Sequence, residues 1–356
     1  MGMKSTVRRL VVVGVLAGLG FAGTAPAAEA AGIITLTRTP HPLVSFAYDG
    51  GRIVYDTSPC AFGARPTPFH VLRIGRSDIR FAQHGAGCVR VGLGGTQVLW
   101  EVAVDGEAFV SAFWTFDAED PRPAQLQIFH DEAVPGSESG PIAGDAGTLA
   151  YSWTAFDFEN PTTCNQNGIG CDLVVTGGGI RTVAGGTQTR VPSAPPAAAM
   201  AVASGRIALV RKVVGQRLST RWNAVEVRDA SDGSLISSFT AGGAIGSIAI
   251  AGNSVAVLVR AGGGVKHIEV HDATTGALTN SLLIASNAVG PIDMSKAGIL
   301  FRRGKVLYIA SRADTFRQPL LGIHGAYAGY GLEGTRVAFA ENLHGHGFIR
   351  ICSTRR

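Results

Sequence analysis

The sequence predicts an all-β fold made by repeating one four-stranded unit, and three observations predict it. Glu226-Val-Arg-Asp-Ala-Ser-Asp-Gly233 and Glu269-Val-His-Asp-Ala-Thr-Thr-Gly276 follow one pattern at an offset of 43 residues. A glycine stands just ahead of an apolar run at Gly51, Gly95, Gly147, Gly205, Gly252, Gly298 and Gly334, with successive spacings of 44, 52, 58, 47, 46 and 36 residues. The 356 residues include 48 Gly and 16 Pro with only 7% aromatic side chains, which suits many turns and short strands. A period in this range points to the blades of a β-propeller. Seven glycine markers give seven blades as the simplest count.

Taken in chain order, Ile33–Thr39 is an alternating strand that precedes the first blade. The last copy, Tyr327 to Ile351, shows first, second and third strands but no fourth. An open ring would leave a bare sheet edge, so Ile33–Thr39 is expected to supply the missing strand. The copy from Ser247 to Leu283 is the clearest. A short apolar run ends at Gly252-Asn253, then Ser254–Arg260 alternates Val255, Val257 and Val259 against smaller or polar partners, as a half-buried strand does. Lys266–Asp272 alternates again, Asp272 to Gly276 supplies a turn, and Ala277–Leu283 closes the unit. Asp117 to Gly144, with four Pro and two acidic pairs, is expected to be an irregular insertion, and Val191 to Ala199 a long connection between blades.

The Asp-x-x-x-Gly turn between third and fourth strands, and Asp49-Gly50-Gly51-Arg52-Ile53-Val54-Tyr55 before a second strand, resemble TolB-type and quinoprotein-type propeller repeats. The resemblance spans residues 33 to 352 as a pattern and implies an architecture rather than an activity. Quinoprotein blades usually carry a recurring Trp docking motif. Trp100, Trp114, Trp153 and Trp222 do not repeat in register here, so no quinone cofactor is expected.

Lys4, Arg8 and Arg9, the uncharged run Leu10–Ala22 and the small-x-small site Ala28-Glu29-Ala30 read as a secretory signal peptide over residues 1–30. Residues 31–356 then form one propeller domain, exported to the envelope or beyond. No further apolar segment approaches the roughly 20 residues of a membrane helix. The formal net charge of +5 falls to +3 when Lys4, Arg8, Arg9 and Glu29 leave, too little to imply nucleic-acid binding. In an oxidising compartment Cys164 and Cys171 are expected to staple a polar loop, and Cys60 with Cys88 form a second candidate pair. Cys352 is left over.

Propeller sites are commonly assembled from loops that lead into the innermost strands. Those loops carry His41, His84 and His324, on blades that neighbour one another around the ring, with Glu138 and Asn287 in similar positions. Neutral imidazoles converging there can hold a divalent metal or act as acid and base. The plainer reading of the three is exposed loop histidines. His344-Gly-His346 is expected to be hairpin-turn chemistry, and no cofactor is expected otherwise. Two readings stay open. The first is a non-catalytic, monomeric exported scaffold that binds a protein, glycan or envelope component. The second is a propeller hydrolase or lyase, resembling the lactonase and streptogramin-lyase group, acting on a small molecule at the channel mouth.

Overall fold

The computed structural model describes residues 32–57, 69–75, 79–81, 90–103, 110–130, 135–159, 172–260, 266–284, 288–314 and 317–354. The expected signal peptide and the four cysteines of the two expected disulfides lie outside these residues. The described part from Gly32 onward is all strand and turn, with no α-helix.

Strand β1 (Ile34–Thr39) comes first. Blade 1 is β2 (Ser45–Asp49), β3 (Arg52–Asp56), β4 (Phe69–Arg73) and β5 (Ile79–Phe81). Blade 2 is β6 (Arg90–Gly94), β7 (Gln97–Ala103), β8 (Val110–Asp117) and β9 (Asp120–His130). Blade 3 is β10 (Gly136–Asp145), β11 (Thr148–Phe158), β12 (Leu173–Ala184) and β13 (Thr187–Arg190). Blade 4 is β14 (Ala197–Ala203), β15 (Arg206–Arg211), β16 (Ala224–Asp229) and β17 (Leu235–Thr240). Blade 5 is β18 (Ala244–Ala251), β19 (Ser254–Arg260), β20 (Lys266–Asp272) and β21 (Leu278–Ile284). Blade 6 is β22 (Ala288–Ser295), β23 (Gly298–Arg303), β24 (Val306–Ala310) and β25 (Arg317–Gly322). Blade 7 is β26 (Ala326–Glu333), β27 (Arg336–Leu343) and β28 (His346–Ser353), completed by β1.

The expected closure is present. β1 runs antiparallel to β28, with Ile34 opposite Ile351 and Thr39 opposite Gly347. Two side chains lock the join. Asn342 accepts the Leu43 N–H at 2.7 Å and donates to the Leu43 carbonyl at 2.9 Å, while the Gly347 N–H reaches Thr39 Oγ1 at 3.1 Å. The first strand of the ring, β2, packs against both β6 and β26.

All seven marker glycines have positive φ, from 56° at Gly252 and Gly334 to 145° at Gly298; six lie in the turn between first and second strands and Gly298 opens the second strand β23. An L side chain is strained there, which is why the marker is legible as glycine. The 43-residue repeat is also structural. Asp229 Oδ1 accepts the N–H groups of Ser231 and Asp232, and Asp272 Oδ1 accepts those of Thr274 and Thr275. Both turns end on a glycine at φ 74°, Gly233 and Gly276. They are hairpin turns of one type.

The core lies between blades. Among the described residues the buried side chains fall into seven clusters, one for each pair of neighbouring blades. This corrects the half-buried reading of β19. Val255, Val257 and Val259 face blade 4, while Ala256 and Leu258 face blade 6. A strand in the middle of a blade has a neighbour on each side, so both of its faces are dry. Asp117–Gly144 is a second correction: most of it is regular strand, in β9 and β10. The prolines Pro121 and Pro123 fit because β9 is an edge strand, where a missing N–H breaks no ladder.

Candidate functional site

Two faces of the ring can carry function. The upper face is defined here as the one at which the innermost strands β2, β6, β10, β14, β18, β22 and β26 begin. The lower face is the one at which they end.

Two of the three expected histidines are described, and both sit on the upper face. His41 is exposed between β1 and β2, and its carbonyl accepts the Thr39 hydroxyl at 2.6 Å and the Gly347 N–H at 3.1 Å. His324 is exposed between β25 and β26. Its N–H and that of Gly325 donate to Glu341 Oε2 at 2.7 and 2.9 Å. These contacts fix the backbone of each histidine and leave the ring facing solvent. His84 and Asn287 lie outside the described residues. Glu138 sits in β10, held by Lys212 Nζ at 2.6 Å rather than in a loop. Among the described residues no group of three His, Cys, Asp or Glu side chains is arranged to hold a metal. His344 (φ 51°) and Gly345 (φ 79°) form the two-residue turn between β27 and β28, the type favoured by hairpin twist. Cys352 is a free, half-buried thiol, pushed up to about 11 by burial.

A second feature of the upper face was not anticipated. The innermost strand of each blade begins opposite the last part of the second strand, and that position alternates in charge by sector. In blades 1 and 2 the pairs are Ser45 with Asp56 and Arg90 with Glu101, while in blade 7 Ala326 faces Asn342 and Glu341 comes one residue further in, opposite Tyr327. In blades 4, 5 and 6 they are Ala197 with Arg211, Ala244 with Arg260, and Ala288 with Arg303. The three acids are buried. Glu101 is held by Arg90 and Ser139, and Glu341 by two backbone N–H groups and by Arg350 at 3.4 Å. By contrast Arg211 and Arg260 are exposed. Lys212, Lys266 and Lys305 follow these arginines, at the start of the segment 212–223, at the start of β20 and in the turn before β24.

The segment 212–223 is pinned across the boundary between blades 3 and 4. Its Gln216 carbonyl and Gly215 N–H pair with Val175, and the Leu218 N–H reaches the Leu173 carbonyl at 2.8 Å. Trp222 accepts the Ile245 N–H through its carbonyl at 2.9 Å, tying the far end to blade 5. Held in this way, the segment presents Val214 60% exposed beside Arg211 and Lys212. Arg211 and Lys212 each have a carboxylate neighbour, Glu226 at 3.2 Å and Glu138 at 2.6 Å. The signal for this sector was in the sequence, where Leu209-Val-Arg211, Leu258-Val-Arg260 and Phe301-Arg-Arg303 each close a second strand with Arg.

At the lower face, carboxylates at or near the ends of innermost strands tie several blades to others. Glu333 of blade 7 accepts the Gly51 N–H of blade 1 at 2.9 Å, and Asp49 accepts Gly95 of blade 2 at 2.6 Å and Ala146 of blade 3 at 3.0 Å. Asp145 of blade 3 accepts Ser204 of blade 4 at 3.2 Å, and Asp293 of blade 6 accepts Leu332 of blade 7 at 2.7 Å. Burial, with the charges of Asp145 and Asp49 adding, pushes the Asp293 carboxyl up to about 6, against the Leu332 and Met294 N–H groups that favour its ionised form. Asp145 is raised for the same reasons, burial first and then Asp49 and Glu333. These acids are structural caps in close quarters. Between the innermost strands of blades 3 to 6 lies a cavity of about 330 Å³ lined by Met200, Val202, Ile248, Ile250 and Ile292 together with Ser247 and Asp293.

No protein-family model matches the chain, and no curated protein matches it. Solved structures do. Kluyveromyces lactis Hsv2 is similar at a TM-score of 0.52 and 10% identity, over 85% of this chain and 90% of that one. A chain of the mitotic checkpoint complex is similar at 0.51 and 14%, over 93% and 97%. The β-propeller domain of the Trilobed protease from Pyrococcus furiosus, described as having an open velcro topology, is similar at 0.50 and 10%, over 85% and 90%. Such identities establish the fold alone, and the TolB-type and quinoprotein-type likeness stays a resemblance of turn motifs. The chain is a seven-bladed β-propeller of four-stranded antiparallel blades, closed by its own N-terminal strand.

Proposed function

We propose that this protein is an exported, non-catalytic binding scaffold whose upper face, in the sector of blades 4 to 6, receives a partner. The observation that carries the reading is the unequal use of charge on that face. Glu101 and Glu341 are buried and hydrogen-bonded, whereas Arg211, whose guanidinium also pairs with Glu226 at 3.2 Å, and Arg260 are exposed, with Val214 exposed three residues beyond Arg211. An apolar centre with a charged, exposed surround is how protein interfaces are commonly built. Propeller neighbours are consistent with a scaffold but lend no partner. Export rests on residues 1–30, and a protein, glycan or envelope component all fit the location.

The test is capture by the immobilised mature protein from envelope and culture fluid of its source, comparing wild type with Arg211→Glu/Arg260→Glu/Arg303→Glu and with a lower-face variant, Asp232→Lys/Asp272→Lys. Material retained by wild type and the lower-face variant but lost from the upper-face variant supports the reading. Retention that ignores the upper-face change, or follows the lower-face one, overturns it. The second reading, a hydrolase or lyase, is favoured by the exposure of both His41 and His324 on one face of neighbouring blades. Elemental analysis of wild type against a His41→Ala/His84→Ala/His324→Ala variant decides it. Near-stoichiometric metal that disappears in the variant would promote the enzyme.

A further inference from the structure

We infer that the partner surface received by blades 4 to 6 is an acidic polypeptide segment carrying an apolar anchor, an inference that rests on the upper face being the binding face. Three properties select this chemistry. The position opposite the start of the innermost strand is Arg in three successive blades, with Arg211 (paired with Glu226 at 3.2 Å) and Arg260 exposed and Arg303 half-buried, so cations recur with the blade repeat around the channel mouth. Guanidinium groups are planar, permanently charged forks that match carboxylates two bonds at a time, and they shed water more readily than ammonium groups. A compact small anion would engage one fork, whereas an extended chain of carboxylates can follow the repeat.

The second property separates a polypeptide from a uniformly charged polyanion. Val214 stands 60% exposed on a segment fixed at both ends by backbone hydrogen bonds, next to Arg211 and Lys212, with the half-buried Trp222 further along the same segment. A rigidly presented apolar side chain stabilises a partner that brings its own apolar group and gains nothing from a phosphate backbone. The third is electrostatic. The small overall excess of positive charge gives little long-range pull on nucleic acid, while the local sector steers a short acidic segment to one place.

The test uses the mature protein and synthetic peptides. A peptide in which Glu residues flank a Leu-Phe anchor is titrated by calorimetry and by NMR amide shifts, beside a Glu peptide lacking the anchor, a Lys-for-Glu peptide and oligothymidylate. The expected result is tightest binding by the anchored acidic peptide, with shifts in 212–223 and at the ends of β15, β19 and β23. Binding should weaken by about tenfold in Arg211→Ala/Arg260→Ala/Arg303→Ala, the loss expected of a few exposed ion pairs. Val214→Ser should bring the anchored peptide down to the level of the unanchored one. Folding of each variant is verified by its unfolding midpoint, and Arg→Lys replacements at the three positions serve as a milder second variant. Equal binding of both acidic peptides, stronger binding of oligothymidylate, or shifts confined to the lower face would each overturn the inference. If no acidic peptide binds while capture remains dependent on the upper face, this inference falls and the scaffold reading stands. If that dependence is also absent, both fall.

Discussion

Asp293→Asn isolates the electrostatic cost of the lower-face caps. The Asp293 carboxyl rises from an ordinary 3.8 to about 6, first through burial and then through Asp145 and Asp49. That difference corresponds to roughly 3 kcal/mol between the protonated and ionised forms. A carboxyl whose pKa is higher in the folded state binds its proton more tightly there. Its favourable contribution is therefore complete below about pH 4 and is lost as pH rises through about 6. Asparagine cannot ionise, so its stability lacks this component. It also replaces one acceptor by a donor, although Asp293 receives Met294 on one oxygen and Leu332 on the other, both at 2.7 Å. A constant penalty of about 1 to 2 kcal/mol is expected from that mismatch. The informative quantity is accordingly the change of the difference with pH. Urea unfolding of both proteins from pH 4 to 7 should show the variant gaining up to about 3 kcal/mol relative to wild type across the range. Two curves that stay parallel would refute the claim that Asp293 is held near neutrality by its surroundings.

Three further outcomes follow from the same structure. Asn342→Ala removes both hydrogen bonds to Leu43 at the ring join and should cost about 2 to 3 kcal/mol in chemical unfolding, whereas a loss under about 0.5 kcal/mol would mean the join does not depend on it. Gly276→Ala should destabilise more than Gly252→Ala, because both have positive φ but a Cβ at Gly276 would lie 2.6 Å from the Ser238 carbonyl oxygen, while at Gly252 nothing lies within 4 Å; equal unfolding midpoints would contradict this. N-terminal sequencing of the protein recovered from outside the cytoplasm should begin at residue 31, and an intact Met1 would remove the basis for export.

The fold was legible because its signals are local. Gly51 to Gly334 mark turns that demand positive φ, and the Asp229 and Asp272 turns bond to their own backbone, so a single sequence displays them without tertiary knowledge. What depended on neighbours was not visible. The dryness of both faces of β19 comes from having a blade on each side, and the regular strand in Asp117–Gly144 comes from β9 lying at an edge that tolerates Pro121 and Pro123. The upper-face arginines were readable in principle as strand-closing residues. Their meaning appeared only when the register placed Arg211, Arg260 and Arg303 opposite the first residues of β14, β18 and β22, the position held by buried Asp56 and Glu101 in blades 1 and 2. Of the loop histidines, His41 and His324 share a face, while their described bonds involve the backbone.

The most direct measurement of the central claim is hydrogen exchange of the mature protein alone and bound to the partner it retains. The account expects slowed exchange in 212–223 and at the upper ends of β15, β19 and β23, with the lower-face turns at 204–205, 230–234 and 273–277 unchanged. Protection concentrated in those lower turns, with 212–223 untouched, would place the binding face at the opposite end of the ring and contradict it.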